Sequence, residues 1–116
     1  KQKRKKDTNR VLIRQISRAL KGVKKKDRIL FAYEPIWSIG TGLIPKSKDL
    51  SQTINFVKNK LKNNFRLKFP KVLYGGSVNP NNIKKLKEIK IIDGFLIGGA
   101  SQKSKNFIDI VKKTFI

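Results

Sequence analysis

The chain has 116 residues, enough by length for one small domain, and contains no Cys, no His and no Met. Without cysteine there is no disulfide scaffold or thiolate metal site, and without histidine any acid or base chemistry falls to carboxylates. The formal net charge of +22 points toward anionic partners, yet no aromatic RNA-binding strand, recognition-helix pattern or zinc spacing accompanies it. The basic residues are spread over every predicted helix, which reads as a solvated surface that favours anionic substrates. No apolar run approaches the roughly 20 residues of a bilayer span, and nothing resembles a signal peptide. A cytoplasmic protein with no membrane or nucleic-acid partner is therefore expected. Because the sequence opens on Lys1, residue 1 is not read as a translation start.

Residues 1–8 form a charge run read as a basic loop or tail, with Asp7 or Thr8 available to cap the helix after it. Val11, Leu12, Gln15, Ile16, Ala19 and Leu20 recur at helical spacing until Gly22, which predicts an amphipathic helix over 9–21. Residues 29–33 are the first strand, and the unbroken apolar run 29–32 has the pattern of a parallel strand buried on both faces. Glu34 stands where that run stops, and Pro35 prevents the strand from continuing. Ile36, Trp37 and Ile39 are too apolar for an idle loop. With Ser38 between them and Gly40 and Gly42 bracketing Thr41, they read as a hinged hydrophobic flap beside Glu34.

Residues 45–49 supply a cap region for a helix to about 64, with Leu50, Ile54, Val57 and Leu61 on one face. Residues 71–74 are a second strand. Asn79 and Pro80 are read as N-cap and first turn of a short helix carrying Ile83 and Leu86. Residues 91–97 are a third strand, and Phe107, Ile108, Val111 and Phe115 give a closing helix. One helix followed by three strand-helix units implies an α/β fold with a parallel sheet and right-handed crossovers.

A lone glutamate is ordinarily a surface charge. At the end of a parallel strand, under a flap that expels water, a carboxylate becomes a candidate base for taking a proton from carbon. Gly75-Gly76-Ser77 follows the second strand and Gly98-Gly99-Ala100-Ser101 the third. Such loops present backbone N–H groups with no Cβ to block an approaching dianion, and residues 100–103 are placed to begin a short extra helix there. Either glycine pair alone is more often a tight turn.

Three segments in order, 33–42 (YEPIWSIGTG), 74–78 (YGGSV) and 93–101 (DGFLIGGAS), resemble triosephosphate isomerase. The resemblance runs from about residue 9 to the end and covers only the C-terminal part of that family's barrel. It implies a partial (β/α)8 TIM barrel: the last three strand-helix units, preceded by one helix, with the N-terminal part absent. By the same resemblance Glu34 is the general base, and Gly40, Ser77, Gly98 and Gly99 give backbone N–H bonds to the substrate phosphate. Pro35, Ile36, Trp37, Ser38, Ile39, Thr41 and Gly42 form the lid, which Tyr74 and Ser77 latch. Trp37 is a lid anchor, and Leu96 is an apolar wall near the base or simply barrel core.

The implied reaction interconverts dihydroxyacetone phosphate and glyceraldehyde 3-phosphate through an enediolate, in glycolysis and gluconeogenesis. No metal or organic cofactor is implied. The partners are a small phosphorylated triose and, in the intact protein, a second copy in a homodimer. Leu43 departs from the family, where a basic residue is common. The family's N-terminal Asn and Lys and its carbonyl-polarising His have no counterpart, so this chain alone is expected to be inactive. Two other readings stand beside this one: a related barrel enzyme for another sugar or indole phosphate, and a basic polyanion-binding module.

Overall fold

A computed structural model describes residues 2–25, 28–35 and 38–115, with residues 2–6 as backbone only. In chain order it comprises α1 (Gln2–Leu20), β1 (Leu30–Tyr33), α2 (Ser47–Asn63), β2 (Lys71–Tyr74), α3 (Ile83–Lys87), β3 (Gly94–Phe95), a 3₁₀ turn (Gly99–Gln102) and α4 (Ser104–Phe115). The three strands form one parallel sheet in the order β1-β2-β3. This is the expected α/β arrangement.

The core forms where α2 meets the sheet. Leu50, Ile54, Val57 and Leu61 recur every three or four residues, so they share one helical face, and all four are buried. Lys46 at the N-cap makes no side-chain cap bond. That missing cap is worth about 1 kcal/mol, whereas each buried Leu or Ile contributes about 1.5–3 kcal/mol, so packing rather than capping fixes this helix. Ile16 and Leu20 of α1 join the cluster from one side, and Val72, Tyr74, Ile83, Leu86 and Ile110 from the other.

Several expectations need correction. The first helix starts at Gln2 rather than residue 9, so residues 2–8 are helical and not a loop. Lys, Gln and Arg are good helix formers, and no Gly or Pro interrupts the run until Gly22, whose φ of +79° ends the helix. The first strand is not buried on both faces: Leu30 is 67% exposed and Ala32 is exposed, while Phe31 and Tyr33 turn toward the core. The third helix is Ile83–Lys87 with Asn82, which makes no side-chain cap bond, at its N-cap position; the capping expected of Asn79 is found one turn earlier, where its Oδ1 accepts the N–H groups of Asn81 and Asn82 and its carbonyl accepts Ile83 N–H. The expected closing helix is present as α4, and its buried residue is Ile110. Phe107, Ile108 and Val111 are exposed, and Phe115 is 84% exposed.

The third strand is only Gly94–Phe95 rather than 91–97, and the reason is a side chain. Asp93 N–H donates to Val72 O at 3.0 Å, while Asp93 Oδ2 accepts Val72 N–H at 2.8 Å, so a carboxylate stands in for the returning backbone bond. Lys58 Nζ lies 2.9 Å from the same oxygen and donates to Ile91 O at 2.6 Å. The cluster thereby ties α2 to the foot of β2 and β3.

Burial works against the Asp93 charge, but the bonds from Lys58 and Val72 and the nearby Lys71 outweigh it and hold the carboxyl below its ordinary range. A depressed folded-state value means stability that is present above the unfolded carboxylate value and lost as pH falls through the folded one. Asp93→Asn is expected to cost about 1 kcal/mol for a pair that solvent still screens, and to flatten the acid limb of the melting temperature against pH. Thermal denaturation from neutral to acid pH checks both.

Candidate active site at the carboxyl rim of the sheet

Register alone brings the site residues together. Tyr33 pairs with Tyr74, and Gly75 N–H donates to Tyr33 O at 2.9 Å, so the residue after β1, Glu34, must stand beside the turn after β2. A Cβ on Gly75 would lie 2.6 Å from Glu34 Cγ and 2.9 Å from Oε1. The glutamate therefore rests on the bare backbone of Gly75. A Cβ on Gly76 would strike the Tyr74 hydroxyl and lie 2.6 Å from Ser38 Oγ. Both glycines were expected to admit a dianion; here they admit Glu34 and the Tyr74–Ser38 pair.

The loop after Glu34 is fastened to the turn after β2. Gly42 N–H donates to Ser77 Oγ at 2.9 Å, and Ser77 N–H donates to Ser38 Oγ at 3.0 Å. Ser38 Oγ also lies 2.8 Å from the Tyr74 hydroxyl and donates to Leu43 O at 2.5 Å. Thr41 Oγ1 donates to Ser38 O and accepts Leu43 N–H, which closes the loop on itself. Gly40 and Gly42 reach φ of +70° and +76°, a region that side chains with a Cβ rarely adopt, so the tight return depends on them. Burial pushes the Tyr74 hydroxyl above the ordinary phenol range, and its bonds to Ser38 and Ser77 only partly offset that. It is a protonated donor at neutral pH.

Glu34 is exposed beside this knot, so the desolvation expected of a closed flap is not found at its carboxylate. Ile36 and Trp37 lie outside the described residues. Pro35 and Ser38 are buried, and Ile39, Gly40, Thr41 and Gly42 face outward. Tyr74 and Ser77 are buried where a latch was expected, but the Ser77 N–H, expected to face an anion, points at Ser38 Oγ. Leu43 enters the knot through its backbone and exposes its side chain.

Gly98 and Gly99 are exposed at the same rim, which the Leu96 N–H bond to Tyr74 O extends. A Cβ on either would meet nothing within 4 Å. Ser101 turns its N–H and its hydroxyl back to Gly98 O and starts the 3₁₀ turn. The role of the Ser38 hydroxyl escaped sequence reasoning, although one serine between Trp37 and Ile39 in an apolar run was a usable signal. Among the described residues no group of three or more Asp and Glu is placed to hold a metal ion, and no helix is long and apolar enough to cross a membrane.

A carboxylate at the end of one parallel strand, seated on the glycine turn of the next, marks this as an α/β protein whose candidate site is at the carboxyl ends of its strands, where parallel sheets bind ligands. The family model described as triosephosphate isomerase matches residues 1–114, and the chain belongs to that family. It is similar to the triosephosphate isomerase of Rhizobium meliloti (strain 1021), 40% identical over 88% of this chain and 41% of the relative. For that of Mycoplasma mobile (strain ATCC 43663 / 163K / NCTC 11711) the figures are 42%, 88% and 40%. For that of Thermodesulfovibrio yellowstonii (strain ATCC 51303 / DSM 11347 / YP87) they are 38%, 90% and 44%. The chain thus spans less than half the length of these curated relatives.

The two glycines separate by substitution. Gly76→Ala drives a methyl into the buried Tyr74–Ser38 pair and is expected to cost about 1–3 kcal/mol, as overpacking does. Gly75→Ala first meets Glu34 Cγ, 2.6 Å from the added methyl, and is expected to displace that exposed side chain at a smaller cost in melting temperature than Gly76→Ala. Thermal melts of both variants, with a crystal structure of Gly75→Ala, check this.

Proposed function

We propose that the full protein carrying these residues is a triosephosphate isomerase, and that Glu34 moves a proton between adjacent carbons of a small phosphorylated triose. The observation that carries this reading is the Glu34 carboxylate seated against Gly75, directly beside a loop fastened through Gly42, Ser38, Tyr74 and Ser77. The three strand-helix units are then the last three of an eight-unit barrel, whose carboxyl rim is where such enzymes hold substrate.

In this reading Glu34 takes a proton from the carbon next to the carbonyl of dihydroxyacetone phosphate and returns it to the neighbouring carbon, giving glyceraldehyde 3-phosphate. The amides of Gly40, Gly98 and Gly99 receive the phosphate, with room for it because neither Gly98 nor Gly99 has a neighbour where a Cβ would stand. The Ser77 amide joins them only by leaving Ser38. The lid keeps water from the enediolate and the phosphate from being eliminated, a gating role that triosephosphate isomerase itself exemplifies. Stabilising the enediolate oxygen needs an electrophile, which residues 1–116, holding no His, do not supply in that form. By analogy with the family the full protein works as a cytoplasmic homodimer in glycolysis and gluconeogenesis.

Glu34→Gln in the full protein is expected to lower kcat by roughly 10²–10⁴-fold, the range for a lost general base, with phosphoglycolate still bound. Undiminished isomerisation by this variant in a coupled assay would overturn the assignment. The 116-residue chain alone is expected to show no isomerisation above its own Glu34→Gln control.

A further inference from the structure

Ser38 is fully buried at 0% exposure, and all three of its hydrogen-bonding valences are filled. A hydroxyl has one proton and two acceptor sites. The proton goes to Leu43 O at 2.5 Å, so the 2.8 Å contact with Tyr74 must run the other way, with the phenol donating. The Ser77 N–H fills the second acceptor site. The result is a directed relay from Tyr74 through Ser38 to Leu43.

Its members come from both sides of the closure. Leu43 lies at the far end of the lid, while Tyr74 and Ser77 belong to β2 and the turn after it. Neither backbone nor side chain leaves Ser38 free to shift: its N–H donates to Pro35 O at 2.9 Å, and its carbonyl accepts from Thr41 N–H and Thr41 Oγ1. Without the hydroxyl, Tyr74 would lose a partner where solvent is excluded, and Leu43 O would lose one at the part-buried edge of the knot.

We propose that Ser38 is the positioning residue that locks the lid beside Glu34, and that the same hydroxyl competes with the substrate phosphate for the Ser77 amide. This rests on the isomerase reading of Glu34. The two roles pull in opposite directions. Removing the hydroxyl frees an amide for phosphate while releasing the lid that protects the reaction, so turnover should fall without weaker substrate binding. A purely structural serine would not produce that split.

The test uses the full protein with Ser38→Ala, Tyr74→Phe and the double variant, measuring kcat, KM, melting temperature and inorganic phosphate released per isomerisation. Ser38→Ala is expected to lower kcat roughly tenfold, the effect of losing one or two buried hydrogen bonds. KM should stay level or fall, and more phosphate should be released. Adding Tyr74→Phe should cost little more, because both break one relay. Unchanged kcat and phosphate release, or a raised KM with kcat intact, would overturn the proposal. Glu34→Gln run in parallel separates the two ideas. If that variant keeps full activity, the isomerase reading fails, and the lock is then judged by hydrogen exchange at the Gly42 amide. Ser38→Ala should speed that exchange, and an unchanged rate would overturn the lock as well.

Discussion

One backbone hydrogen bond, from Gly75 N–H to Tyr33 O, sets the geometry on which the site depends. It extends the parallel register of β1 and β2 one residue past the strands, so Glu34 cannot avoid the turn at 75–77. Because Gly75 has no Cβ, the carboxylate lies directly on that turn; because Gly76 has none, the Tyr74 hydroxyl can turn back under it to Ser38. A slip of one residue would exchange the faces of every side chain in β1 and move Glu34 off this seat. The acid and the lid knot are therefore two readouts of one register.

The polar knot sits on an apolar foundation. Val72 and Tyr74 of β2 are fully buried against the stripe of α2 that carries Leu50 and Ile54, which fixes β2 as the reference strand for both neighbours. At the opposite end Asp93 and Lys58 clamp the same strand by charge and hydrogen bonding. The strand that bears Tyr74 is thus held at its foot by an ion pair and at its rim by hydroxyls. With 29 basic residues and 7 acidic ones, most cations have no acid to pair with, and the remainder solvate the surface.

Much of the fold could be read from the chain. The face of α2, the limits of β2, the parallel order of strands and the stop at Gly22 all follow from local periodicity and turn chemistry, and each holds. The first helix was misread on local grounds, but elsewhere a nonlocal partner decided the outcome. β3 is short because the Asp93 side chain replaces a ladder bond, and Ile110 of α4 is buried in one cluster with Ile83 and Leu86 of α3.

For the site, the sequence by itself determined which groups exist: one carboxylate at a strand end, two glycines in the loop after it, and glycine turns after the next two strands. Residue type and spacing suffice for that, since backbone freedom and charge are properties of single positions. Only the tertiary structure decided what those groups touch. That the glycines at 75 and 76 seat Glu34 and Tyr74, and that the Ser77 amide is held by Ser38, depends on two strands meeting in one register, and distances between segments some 40 residues apart are not encoded in either segment alone.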